Sequence, residues 1–150
     1  MKKSKSKKIA IASDHAAVDL KKTLVKYLAD QGHQVIDLGP KSKKSAHYPK
    51  FGKKLAGAVD SGEFPRGILI CGTGIGMSIT ANRFRGVRAA LAHDAYTARM
   101  AKAHNNANVL VLGARVLGEG VALDAVDVWL TTKFEGGRHQ ERLDMIDEEC

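Results

Sequence analysis

Arg66-Gly-Ile-Leu-Ile-Cys-Gly-Thr-Gly-Ile-Gly76 is the stretch that decides the fold. Residues 68–70 form a short apolar run with a β-branched residue at each end, the pattern of a strand buried on both faces. The run empties into three glycines spaced two apart. Beyond them Met77, Ile79 to Ala81 and Phe84 resume an apolar rhythm of three to four, which predicts a helix over 77–84. Strand, turn and helix therefore follow one another. Glycine lets the backbone approach a ligand closely, and the free N–H groups at a helix start, with the positive end of its dipole, favour an anion there. The same field is expected to lower the pKa of Cys71, which stands at the strand's exit. A structural turn with a buried, inert cysteine is the alternative that spacing leaves open.

The alternation continues on both sides. Residues 8–13 are an apolar run that stops at Asp14-His15, and Val18, Leu20, Leu24, Val25 and Leu28 then recur at helical spacing up to Gln31-Gly32. A second strand over 35–38 ends at Gly39-Pro40. A lysine-rich loop follows as far as Tyr48-Pro49, and Phe51, Leu55, Ala58 and Val59 predict a helix ending near Ser61-Gly62. Downstream come a strand over 87–92, a helix over 94–103, a strand over 108–112 and a helix over 119–130; a charged, helix-like segment over 138–149 follows Gly136-Gly137. Such repetition predicts an α/β fold, a single-domain three-layer α/β/α sandwich around a five-stranded parallel Rossmann-like sheet with right-handed crossovers. Ligands of open sheets bind outside the carboxyl ends of the strands. Asp14, His15, Cys71, Thr73, His93, Asp94 and Arg115 are therefore expected neighbours.

At 150 residues, 44% of them hydrophobic and 27% charged, the chain is one soluble domain's worth. Residues 1–8 are expected to be a disordered basic arm and residues 9–150 the domain. Cys71 and Cys150 offer neither a disulfide framework nor a CxxC ligand pair, which suits a reducing compartment and makes the cytoplasm the expected location. The apolar run after the basic N-terminus is too short for a signal h-region or a membrane span. The net charge of +8 raises nucleic acid as a partner. Much of the excess, however, sits in residues 1–8 and 41–54, with no aromatics interleaved as stacking platforms, so a solvated tail is the expectation and nucleic acid is not.

The glycine turn fits neither common nucleotide motif. In Gly72-Thr-Gly74-Ile-Gly76 the third glycine comes one residue too early for GxGxxG, and the turn follows the third strand rather than the first; no Lys-Ser or Lys-Thr pair completes a P-loop. Cys71 with a histidine could act as nucleophile and base, as in cysteine hydrolases. Equally, its thiolate could remove a proton from carbon while the turn's N–H groups hold the resulting enediolate. Proton abstraction needs a held sugar phosphate, and Arg138 and Arg142, at i and i+4, can converge on a dianion through their fork-shaped donors. The competing account is a solvated helix with Arg138 paired to Glu141 or Glu135. His15, after Asp14 at a strand end, is the best-placed histidine. His104, beside the turn-favouring Asn105-Asn106, reads as a surface residue, while His47, His93 and His139 read as structural or peripheral. No HxxxH, HxH or carboxylate cluster indicates a metal.

Six motifs in order, Ser13-Asp-His15, Tyr48-Pro49, Ile70-Cys-Gly-Thr-Gly-Ile-Gly76, Ala81-Asn82-Arg83, His104-Asn105 and Glu135-Gly-Gly-Arg-His-Gln-Glu-Arg142, resemble ribose-5-phosphate isomerase type B, of the ribose, galactose and allose phosphate isomerase family. The resemblance implies an aldose-ketose isomerase without metal or cofactor, working through a cis-enediol in the non-oxidative pentose phosphate pathway; a hexose-6-phosphate isomerase is the alternative. It implies that Cys71 shuttles the proton between C1 and C2 with Thr73 assisting, and that the backbone of Gly72, Gly74 and Gly76 holds the enediolate. His104 and Asp14 are implied to open the furanose, His15, Arg115, Arg138 and Arg142 to bind phosphate, and Tyr48 and Asn105 to contact hydroxyls. A homodimer or dimer of dimers is implied, with His104 and Arg115 among the residues serving the neighbouring chain's pocket. Two departures stand out: His47 replaces the acidic residue common before Tyr-Pro, and Met77 stands where one branch of the family carries a glutamate base.

Overall fold

The computed structural model describes residues 8–148; residues 1–7 of the expected basic arm and Cys150 lie outside them, and Lys8 belongs to the first strand. Among the described residues, five parallel strands alternate with six α-helices: β1 (Lys8–Ser13), α1 (Val18–Asp30), β2 (Gln34–Asp37), α2 (Tyr48–Asp60), β3 (Gly67–Cys71), α3 (Ile75–Ala81), β4 (Ala89–Leu91), α4 (Ala95–Ala103), β5 (Val109–Gly113), α5 (Glu119–Thr131) and α6 (Arg138–Asp147). A short 3-10 turn, His15–Ala17, joins β1 to α1. The strand order is β2-β1-β3-β5-β4. The chain leaves β1 on one side and returns at β3 on the other, so the crevice outside their carboxyl ends is the switch point at which such sheets bind ligands.

Side chains alternate across the sheet with the strand period of two. Ile9, Ile11, Ile68, Ile70, Leu110 and Leu112 pack with residues of α1, α4 and α5 on one face. Ala10, Ala12, Leu69, Val109 and Val111 lie with residues of α2 and α3 on the other, and Cys71 belongs to that face. Two covered faces explain why the central strands read as unbroken apolar runs.

Several boundaries differ from the sequence reading, three of them for reasons that the structure shows. α2 begins at Tyr48 because Pro49 falls in the first turn, where its missing N–H leaves no helical bond unmade. α3 stops at Ala81, and the N–H groups of Arg83 and Phe84 turn back to the carbonyls of Thr80 and Ala81. The strand expected over 87–92 pairs only at 89–91. There the Arg88 N–H donates to Asn108 Oδ1 at 2.8 Å, and Asn82 brackets Ala89, donating from Nδ2 to its carbonyl and accepting its N–H, both at 2.9 Å. A side-chain amide thus occupies the groups that an edge strand otherwise leaves open.

Beneath α1 lies a charge with no exposed surface. Lys21 is wholly buried; its Nζ donates to Asp37 Oδ1 at 2.8 Å and to the Pro40 carbonyl. Removing one partner of a buried pair leaves the other uncompensated, so Asp37→Ala is expected to destabilise the fold by about 3 kcal/mol, read as a lowered urea midpoint. Lys21→Met in the Asp37→Ala background should recover part of that loss; failure to recover any would mean that the charge is not what the site stabilises. No helix among the described residues is long and apolar enough to cross a membrane.

Candidate active site

The turn that follows β3 is built around sulfur. Cys71 is 5% exposed, and its Sγ accepts the N–H of Gly74 at 3.1 Å. Gly74 caps α3 at φ +83°, and a Cβ there would lie 2.4 Å from Leu91 Cδ1, so both backbone and space demand glycine. Thr73 is exposed, and its Oγ1 accepts the Ile75 N–H at 3.2 Å. Tyr48 leans over the turn: a Cβ on Gly76 would meet its ring at 2.5 Å. The first N–H groups of a helix have no partner within it; those of Gly74 and Ile75 are taken by Cys71 Sγ and Thr73 Oγ1, so it is the N–H of Gly76 that the α3 end of the turn can offer to an anion at the crevice.

Neighbouring strand ends complete this half of the site. The Asp14 N–H donates to the Ile70 carbonyl at 3.0 Å, and the Asp14 carboxylate accepts the Ala17 N–H at 3.1 Å, fixing the 3-10 turn that carries His15. His15 Nδ1 accepts the Ala46 N–H at 3.2 Å, which leaves the ring proton on Nε2 as a donor. After β5, the N–H groups of Ala114 and Arg115 donate to the carbonyls of Cys71 and Gly72 at 2.8 and 2.9 Å, and the Arg115 side chain lies 3.5 Å from where a Gly72 Cβ would stand. Within one chain, then, Arg115 lies beside the Cys71 turn. Asp14, His15, Tyr48, Cys71, Thr73, the three glycines and Arg115 all gather at one end of the sheet.

His104, Asn105, Arg138 and Arg142 do not join them. α4 starts at the carboxyl end, where Asp94 caps it in a reciprocal box with Thr97 whose N–H and hydroxyl hold the Asp94 carboxyl below its ordinary range, and it runs back to finish at His104. α5 makes the same return before α6 begins. A five-residue strand is ~16 Å long, so these residues sit at the opposite end of the sheet from Cys71. Arg138 and Arg142 are exposed, and among the described residues neither forms the ion pair with Glu135 or Glu141 that the charge pattern allowed. Glu135 faces two histidines instead. Its Oε2 lies 3.3 Å from His139 Nε2 and 3.7 Å from His104 Nε2, and the two imidazoles stack with centroids 4.1 Å apart.

His139, read as structural or peripheral, is 6% exposed and stacks on His104. Glu135 and His139 were legible only as an i, i+4 pair in a charged segment; their third member comes from another helix. These three residues could also hold a metal ion, each offering one ligand atom within 4.8 Å of the others. His47 and His93 are both exposed, and His47 makes no capping side-chain bond at the start of α2.

A doubly wound parallel sheet with a thiol and a glycine turn at its switch point defines an α/β protein with a ligand crevice at the carboxyl ends of its strands. The model of the Ribose/Galactose Isomerase family matches residues 9–146, and the chain belongs to that family. It is 46% identical to ribose-5-phosphate isomerase B of Escherichia coli over 140 residues, 93% of this chain and 94% of that protein. Ribose-5-phosphate isomerase B of Clostridium thermocellum superposes with a TM-score of 0.92 at 51% identity, over 93% of this chain and 95% of the other. The Mycoplasma genitalium enzyme, solved with bound ribulose-5-phosphate, gives 0.90 at 42% identity over 93% of each chain.

Proposed function

We propose that this chain interconverts D-ribose 5-phosphate and D-ribulose 5-phosphate through a cis-enediol, at a site completed by a second copy of itself. The observation that carries the reading is the Cys71 sulfur, held by the Gly74 N–H at the switch-point crevice of a fold shared with the ribulose-5-phosphate-bound relative. As thiolate, Sγ takes the proton from C2 of the open-chain aldose. The C2–H electron pair becomes the C1=C2 double bond, and the charge passes to O1, where the N–H groups of the 72–76 turn that are not already bonded within it receive the charge. The sulfur then returns the proton to C1 as O2 loses its own and becomes the carbonyl, with the Thr73 hydroxyl relaying protons between the oxygens. Hydrogen moves within one molecule, so the exchange balances without an external electron carrier.

Phosphate is bound by His15 Nε2–H and Arg115 of one chain together with Arg138 and Arg142 of a second. The second chain's His104, with Asp14 of the first, opens the furanose, and Tyr48 and Asn105 take the hydroxyls. Two features support assembly as a homodimer or dimer of dimers. The required residues lie at opposite ends of the sheet, and α3 presents Ile75 and Ile79 at 55% and 57% exposure, apolar surface that a partner would cover. A thiol chemistry of this kind suits the reducing cytoplasm.

Turnover on ribose 5-phosphate, allose 6-phosphate and galactose 6-phosphate tests the assignment. Ribose 5-phosphate should lead by at least about tenfold in kcat/KM, the discrimination that one extra carbon unit allows. Equal or faster turnover of a hexose phosphate would transfer the assignment to that sugar, and inactivity on all three would remove it.

A further inference from the structure

Away from the Cys71 turn, Glu135 Oε2 stands between two imidazole Nε2 atoms, at 3.3 Å from His139 and 3.7 Å from His104. Two imidazole nitrogens and one carboxylate oxygen are a donor set that holds zinc with a fourth position open, at bonds of about 2.0–2.2 Å. Such bonds set tetrahedral ligand atoms roughly 3.3–3.5 Å apart. The Glu135 and His139 atoms already meet that spacing. His104 needs to close by a few tenths of an ångström on Glu135, and its donor atom, which lies within 4.8 Å of those of Glu135 and His139, must draw in as the ring tilts, because rings stacked at 10° aim their lone pairs side by side rather than at one point. It is the residue placed to do so: it forms the C-cap of α4 with a side chain 38% exposed, whereas the His139 side chain is 7% exposed and held. Imidazole donors favour zinc, copper or nickel over magnesium or calcium.

We propose that His104, Glu135 and His139 form a binding site for a divalent transition ion, zinc above all, and that its occupation withdraws His104 from the reaction. Binding itself does not depend on the isomerase reading; the inhibitory consequence rests on the role given to His104 there.

The test uses tag-free, full-length Cys71→Ser/Cys150→Ser protein, since thiols are themselves zinc ligands, stripped with chelator and titrated with zinc chloride by calorimetry. One zinc per chain is expected. Glu135→Gln, which keeps the shape of an exposed side chain, should weaken it at least about tenfold, the loss that even an outer partner of a metal causes. His139→Ala, checked for its fold by circular dichroism, should do the same. Absence of binding at millimolar zinc, or equal binding by Glu135→Gln, overturns the site. With the cysteines restored, zinc should suppress turnover reversibly by EDTA and the activity of Glu135→Gln should resist it; zinc bound at the cluster without slowing the enzyme overturns the inhibitory half. Stoichiometry is read without substrate, so failure of the isomerase assignment and failure of the metal site are separate results.

Discussion

Cys71→Ser is expected to lower kcat for ribulose 5-phosphate formation by at least about 10³-fold, within the range that a positioned acid-base group supplies. Serine is the sharper of the two natural substitutions. It keeps an acceptor for the Gly74 N–H, now 3.1 Å from sulfur, so the turn stays satisfied while the sulfur base is lost. Alanine removes base and acceptor together and strands an amide in a site where the residue is 5% exposed, an additional cost of about 1–3 kcal/mol. The two variants should therefore be equally inactive but differ in thermal midpoint, with alanine lower. Turnover within tenfold of the parent in either variant would show that the proton is moved by another group.

Mixing two dead enzymes should produce a live one. In one chain Cys71 closes β3 at the carboxyl end of the sheet, while His104 ends α4 at the amino end. A pairing of Cys71→Ala with His104→Ala chains leaves one composite site doubly damaged and the other whole. Random two-fold assembly makes half the molecules mixed, so co-refolded variants should regain about one quarter of parental activity. Were each site built from a single chain, the mixture would show only the sum of two residual activities. Arg138→Ala mixed with Cys71→Ala should be rescued in the same way, whereas Arg115→Ala with Cys71→Ala should not, because Arg115 lies against Gly72 of its own turn.

Much of this was written in the order of residues. Ile68 to Ile70 and Val109 to Leu112 are apolar on both faces because helices cover both, and that pattern alone gives a parallel sheet. The rule that ligands meet strand ends then named Asp14, His15, Cys71, Thr73 and Arg115, which the fold brings together, and also His93 and Asp94, which follow the edge strand β4, two strands from β3. Side-chain bonding across the chain was not legible. The Asn82 amide that shortens β4 by bracketing Ala89 leaves no periodic signal, and neither does Lys21, which looks like one more surface lysine and is buried against Asp37. The stacking of His139 on His104 was not legible for the same reason: nothing within its charged segment announces that another helix ends against it. The family motifs implied that His104 serves the neighbouring chain's pocket and left Arg138 unallotted. The topology supports the proposed sharing of residues between two chains, since residues that follow a returning helix sit a full strand's length from those that follow a strand.

A freshly translated chain, on this reading, is inert however well it folds, because each end of its sheet carries only half of what the chemistry requires. At low abundance, activity should rise with the second power of concentration, making dilution an off-state and encounter between twins the event that switches metabolism on.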